Sequence, residues 1–103
     1  MKRNYTRAIP KQWRALARVF VALGDEHRQR ILLTFEKGER LTVGQIVQVA
    51  TLSRPAVSHH LKILREAGVL IAERSGREVY LRVNRPVLEE TLATVLEFVR
   101  TEA

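Results

Sequence analysis

Apolar residues recur every three or four positions along most of this chain and every second position over one short stretch, which predicts helices interrupted by a single hairpin. Trp13, Leu16, Ala17, Phe20 and Leu23 keep helical spacing behind Pro10, a natural first helical residue, and Gly24 supplies a stop. Lys11, Arg14 and Arg18 fall on the other side, so the first helix is amphipathic and basic. Asp25 can cap a second helix that carries Ile31, Leu32 and Phe35 and is expected to end at Gly38. Thr42 and Gln45 have capping-box spacing, in which each side chain satisfies the other residue's free backbone amide, and Ile46, Val47 and Ala50 continue a third helix.

Only Thr51 and Leu52 separate that helix from Ser53, a second capping residue, with Pro55 tolerated in a first turn whose amides lack helical partners. A fourth helix follows and is expected to reach Gly68. Two short helices joined so tightly form the pattern of a helix-turn-helix. Beyond Gly68 the period changes to two. Val69 and Ile71 lead to Ser75-Gly76, read as the turn pair, and Val79, Leu81 and Val83 alternate on the return, which is a β-hairpin. Asn84 can cap a last helix carrying Val87, Leu88, Leu92, Val95, Leu96 and Val99. The expected fold is mainly α with a small β-hairpin: a winged helix-turn-helix of about five helices and a two-stranded wing. One domain spans residues 1–103, with residues 1–9 as a flexible basic arm.

The fourth helix has a face its core does not use. With about 100° per residue, Val57, Leu61 and Leu64 point inward, while Pro55, Ser58, His59 and Lys62 share the opposite arc with Glu66, flanked by Arg54 and Arg65. A small hydroxyl, an imidazole, a lysine and a leading arginine are side chains that reach base edges and phosphates in a major groove. His60 falls beside the core stripe, where a half-buried imidazole bonded to a neighbour is expected. His27 is expected as a solvated surface residue. The hairpin tip, Glu73-Arg74-Ser75-Gly76-Arg77, sets Arg74 and Arg77 around a turn with little bulk to keep a phosphate away. Tyr80 and Arg82 are weaker candidates.

Charge sharpens this picture. The 103 residues hold 18 Lys+Arg against 11 Asp+Glu, a formal charge of +7. Residues 1–18 carry Lys2, Arg3, Arg7, Lys11, Arg14 and Arg18 and no acid, whereas residues 86–103 carry Glu89, Glu90, Glu97 and Glu102 against Arg100 alone. A polyanion is the expected partner of so polarised a surface. A basic amphipathic first helix also suits an interaction or membrane-surface module, which is the alternative function. With no cysteine there is no disulfide and no thiolate metal site, and a cytoplasmic setting fits best. No apolar run has the length of a membrane span. Adjacent His59 and His60 point about 100° apart, unlike an i, i+4 ligand pair, so no metal is assigned. No carboxylate pair at recognisable spacing and no phosphate-cradling glycine loop is present, so the chain is read as a non-enzyme without a cofactor.

The run Ser53-Arg54-Pro55-Ala56-Val57-Ser58-His59-His60-Leu61-Lys62-Ile63-Leu64-Arg65-Glu66-Ala67-Gly68-Val69-Leu70 resembles the recognition helix and wing start of the ArsR-type winged helix-turn-helix transcriptional repressors. Leu23-Gly24-Asp25-Glu26-His27-Arg28-Gln29-Arg30-Ile31-Leu32 is similar to that family's Asp-Pro-Thr-Arg-Arg-x-Ile-Leu signature, with Glu26 and His27 in place of Pro and Thr. The resemblance implies a repressor that binds double-stranded DNA as a homodimer, its first and last helices paired through Trp13, Leu16, Phe20, Leu88, Leu92, Val95, Leu96 and Val99. The aliphatic stripe of the last helix points the same way, because six large side chains exceed what one thin domain covers. Two recognition helices about 34 Å apart then require an inverted-repeat operator. Metal-responsive members carry cysteines in the third helix or Asp/His/Glu ligands in the last. Leu41–Ile46 has no thiol here and the last helix has no histidine. The chain thus resembles the metal-independent branch: an autorepressor, or a regulator released by a small molecule or protein inducer, between which the sequence does not choose.

Overall fold

The computed structural model describes residues 1–103. Its elements run α1 (Lys11–Leu23), α2 (Glu26–Thr34), β1 (Arg40–Thr42), α3 (Val43–Val49), α4 (Arg54–Glu66), β2 (Leu70–Ser75), β3 (Glu78–Val83) and α5 (Arg85–Glu102). Asp25 accepts from the Arg28 amide at 3.0 Å and starts α2. The capping box forms in full: Thr42 Oγ1 accepts from the Gln45 amide at 3.2 Å, and the Thr42 amide donates to Gln45 Oε1 at 2.8 Å. Ser53 caps α4 through the Ala56 amide at 3.4 Å. Asn84, read as a side-chain cap, makes no such bond; its amide donates to Val69 O at 2.8 Å instead, which ties the start of α5 to the end of α4.

Two helix ends differ from the spacing. α2 stops at Thr34 rather than running to Gly38, because Phe35 turns extended and packs against the core, while Gly38 at φ +73° serves the turn that follows. α4 stops at Glu66 in a Schellman motif: Val69 N donates to Leu64 O at 2.9 Å and Gly68 N to Arg65 O at 3.0 Å, with Gly68 at φ +80°. Leu64 and Val69, the hydrophobic partners of that motif, are both fully buried. A side chain at Gly68 would meet a left-handed backbone that only glycine adopts at no cost.

The sheet has three strands, not two. β1 adds to β3 in the order β1-β3-β2, all antiparallel, with Leu41 opposite Leu81. The hairpin turn is Gly76-Arg77, one residue later than expected. Ser75 pairs with Glu78, and glycine at φ +62° takes the first central position of a two-residue loop, as a type II′ turn requires. Ile46, Val57, Leu61, Leu64, Val69, Leu70 and Leu81 form the centre of the core, where α3, α4 and the sheet meet, and Val19, Ala22 and Ile31 join it from α1 and α2. Val87 and Leu88, counted with the terminal aliphatic stripe, pack against this core as well. No helix is long and apolar enough to cross a membrane.

α5 stands apart, with Thr91 as its only buried residue in 18. The Cα radius of gyration is 16.0 Å, against about 13 Å for a compact chain of this length, so the protomer is long and thin. Of residues 1–9, expected as a flexible basic arm and all exposed, Lys2 forms an ion pair with Glu102 at the end of α5, and Tyr5 and Ile9 line a cavity there. Replacing Leu64 by Ala removes a fully buried side chain beneath α4 and is expected to cost about 2–5 kcal/mol in urea denaturation, whereas exposed Leu33→Ala should stay within about 0.5 kcal/mol.

Candidate nucleic-acid interface

α4 is fixed by the residues on its inner side. Val57, Leu61 and Leu64 anchor it in the core, Ser53 closes its N-terminus and the Schellman motif closes its C-terminus. The outer side then has a single orientation. Arg54, Pro55, Ser58, His59, Lys62 and Arg65 are all exposed, as are Arg74 and Arg77 on the wing. Among these cations only Lys62 has a carboxylate within reach, Glu66 one turn along at 3.9 Å, a surface pair worth little. Arg54, Arg65, Arg74 and Arg77 have no acidic partner. A side chain at Gly76 would meet nothing within 4 Å, so the wing tip is open.

The second group of wing residues is engaged within the chain. Arg82 pairs with Glu73 across the hairpin, and the Arg40 guanidinium lies 4.1 Å from the centre of the Tyr80 ring. Arg40 was missed by spacing because β1 is three residues long, too short to show a period of two.

Below the exposed face lies a polar latch that no local pattern reveals. Arg28 Nε donates to Ala22 O at 2.7 Å and Nη2 to Val21 O at 3.1 Å, while Nη1 lies 3.3 Å from His60 Nδ1. A guanidinium only donates, so Nδ1 is the acceptor and the His60 proton sits on Nε2. His60 is half-buried beside the core, as its position on the helix predicts. His27, expected in solvent, is also half-buried, its ring centroid 5.7 Å from that of His60. Burial, opposed by the Asp25 charge and reinforced by Arg28, His27 and His59, pushes the His60 pKa below its ordinary value. The Arg28 backbone amide lowers the Asp25 pKa. No three His, Asp or Glu side chains gather into a metal-ligand set.

Residues 25–72 match the model of the "Bacterial regulatory protein, arsR family". The chain is 37% identical over 81 residues to the transcriptional repressor SdpR of Bacillus subtilis, covering 79% of this chain and 89% of that protein. It is 39% identical over 69 residues to the arsenic resistance transcriptional regulator ArsR1 of Pseudomonas putida, where the match spans 67% of this chain and 54% of the relative. The fold is similar to an ArsR-like transcriptional regulator from Rhodococcus sp. RHA1, with a TM-score of 0.82 and 27% identity over 88% of this chain and 85% of that one.

The latch predicts a pH dependence of stability. Because the His60 pKa is lowered on folding, the unfolded chain takes up that proton first; the contribution is present above the ordinary value of 6.5 and is lost as pH falls below it. Asp25, also lowered, contributes above its ordinary value of 3.8 and loses that contribution as pH falls through its folded pKa. Urea midpoints should therefore decline in two steps on acidification. His60→Gln, which keeps an acceptor for Arg28, should remove the step near neutrality, and Asp25→Asn, which keeps a cap, the acidic one. A midpoint for His60→Gln that still falls between about pH 7.5 and 5.5 as in the parent would contradict the assignment.

Proposed function

The chain belongs to the ArsR family of bacterial regulatory proteins and is a DNA-binding transcription regulator with a winged helix-turn-helix fold, and from that premise we propose that it is a repressor that binds an inverted-repeat operator as a homodimer. The observation that carries this reading is the outer side of α4, held from within yet exposed, with four arginines, Arg54 and Arg65 on α4 and Arg74 and Arg77 on the wing, lacking any acidic partner. Ser58 and His59 are assigned to base edges in the major groove. Lys62, Arg54 and Arg65 are assigned to flanking phosphates, Pro55 to close approach at the helix start, and Arg74 and Arg77 to the backbone or minor groove beside it.

Pairing is assigned to α1 and α5. Leu92, Leu96 and Val99 are 58%, 45% and 51% exposed, and Phe20 is 41% exposed. A contiguous apolar stripe of this kind on an 18-residue helix with one buried residue is what a second copy would cover. Leu16 and Leu88 are covered within the protomer and support the face from beneath, Val95 is half-buried, and Trp13 packs edge-on against Phe98 of its own chain. A signal other than a metal is assigned on the sequence, which has no cysteine and no histidine in the last helix, where metal-responsive members of the family place their ligands.

Selection of bound DNA from a random pool at two salt concentrations tests the reading. An inverted repeat with half-sites about one helical turn apart should emerge, and about eight phosphate contacts per dimer give a log K against log salt slope of roughly −7, unchanged by stoichiometric zinc. Ser58→Ala or His59→Ala should shift the selected motif, at about 1–3 kcal/mol per base contact, whereas Lys62→Ala or Arg77→Ala should weaken all sequences alike. Equal affinity for the selected site and random DNA would refute the repressor reading.

The pairing has its own test. Leu96→Glu should yield a folded monomer in sedimentation equilibrium and lose affinity for the inverted repeat, because each half-site then binds alone. A parent chain that stays monomeric at micromolar concentration would remove the dimer.

A further inference from the structure

We propose that the cavity enclosed by the N-terminal segment, the start of α1 and the end of α5 is a binding site for an organic cation carrying an apolar, preferably aromatic, group. Its volume of about 500 Å³ lies within the range of small-molecule sites. Three of the six aromatic residues of the chain, Tyr5, Trp13 and Phe98, line it. Trp13 and Phe98 meet at 85° with centroids 5.7 Å apart, so two aromatic walls form a corner.

Charge selects the occupant. The chain carries +7, yet the charged side chains of this cavity are Glu97, Glu102 and Lys2. Glu102 is taken by Lys2, whose ammonium that hydrogen bond holds above its ordinary pKa. Glu97 has no cation within 4 Å. An anion would meet that free carboxylate, and a neutral apolar molecule would strip water from it without return. A cation satisfies the carboxylate and gains from the negative faces of the rings. Lys2 already shows the chemistry at the rim, where the chain's own ammonium rests on one of the two carboxylates.

The cavity and the aliphatic stripe occupy different sides of α5. At about 100° per residue, Leu92, Leu96 and Val99 fall in one arc of about 60° and Thr94, Phe98 and Thr101 in another roughly opposite. Covering the stripe with a second copy leaves the cavity side of the helix uncovered. As the entry point of a regulatory signal the site rests on the repressor reading; as a binding site it does not.

Trp13 is the only tryptophan, so its fluorescence in the full chain without DNA reports the site directly. Titration with benzyltrimethylammonium should give a saturable change. Benzyl alcohol and phenylacetate, neutral and anionic probes with the same ring, should bind at least about tenfold more weakly. Glu97→Gln, on an exposed residue, should weaken the cation about fivefold or more, as should Phe98→Leu, while Leu33→Ala, on α2 and outside the cavity, should leave it unchanged. No saturable change up to about 10 mM cation, phenylacetate binding as tightly as the cation, or indifference to Glu97→Gln would each overturn the proposal. Because no DNA is present, this outcome and that of the DNA selection are read independently.

Discussion

One side chain holds the two working parts of this protein in register. The guanidinium of Arg28 takes the carbonyls of Val21 and Ala22 at the end of α1 and reaches His60 on α4, while Gln29 takes the carbonyl of Leu23 at 2.7 Å. The last turn of a helix leaves carbonyls without partners and carries partial negative charge. α1 has no basic residue of its own in that turn, so α2 supplies the cation from outside. That arrangement fixes the angle of α1 against α4. It also adds to the burial that pushes His60 toward its neutral form: its Nδ1 faces a group that can only donate, and an imidazolium would set two cations against each other.

The parts of the fold legible in the sequence are those in which a local rule and the tertiary structure agree. Asp25, Thr42 with Gln45, and Ser53 each cap the helix that follows them, and Val57, Leu61 and Leu64 lie inward as a 3.6-residue period demands. Apart from the hairpin turn, set locally by Ser75 opposite Glu78, the main misreadings arose where a distant partner decided. β1 exists because Arg40–Thr42 lie against Tyr80–Arg82, some forty residues on by the register of Arg40 with Arg82. Asn84 stands at the N-cap of α5 without a side-chain capping bond, and its backbone amide closes onto Val69. The latch between Arg28 and His60 spans 32 positions and leaves no trace in either helix alone. The candidate reading residues were legible for the opposite reason, since an exposed helix face is defined by its own inner side and needs no long-range information.

Function follows from a division of labour along a thin molecule 53 Å long. The core is confined to the junction of α3, α4 and the sheet, with α1 and α2 closing one side, and it spends its apolar residues holding α4 still. Little is left to cover α5, which therefore keeps an aliphatic stripe in the open. Charge is divided in the same way. Unpaired arginines stand on α4 and the wing tip, while α5 and its flank carry Glu89, Glu90, Glu97 and Glu102. The unpaired arginines of α4 and the wing draw a polyanion to that face, while two of the α5 carboxylates are already paired, Glu89 with Arg85 and Glu102 with Lys2.

This geometry makes α1 the element through which the two regions communicate. Thirteen residues at about 1.5 Å each give a rod of roughly 20 Å. Trp13 near its start stands in the aromatic corner with Phe98, and Val21 and Ala22 at its end are held by Arg28. At the latch α1 meets α4, whose inner side is closely packed. In the homodimer proposed above, two recognition helices meeting half-sites about 34 Å apart tolerate little reorientation. On the readings proposed above, a ligand at the end of α5 has α1 and the latch as its path to the paired reading faces.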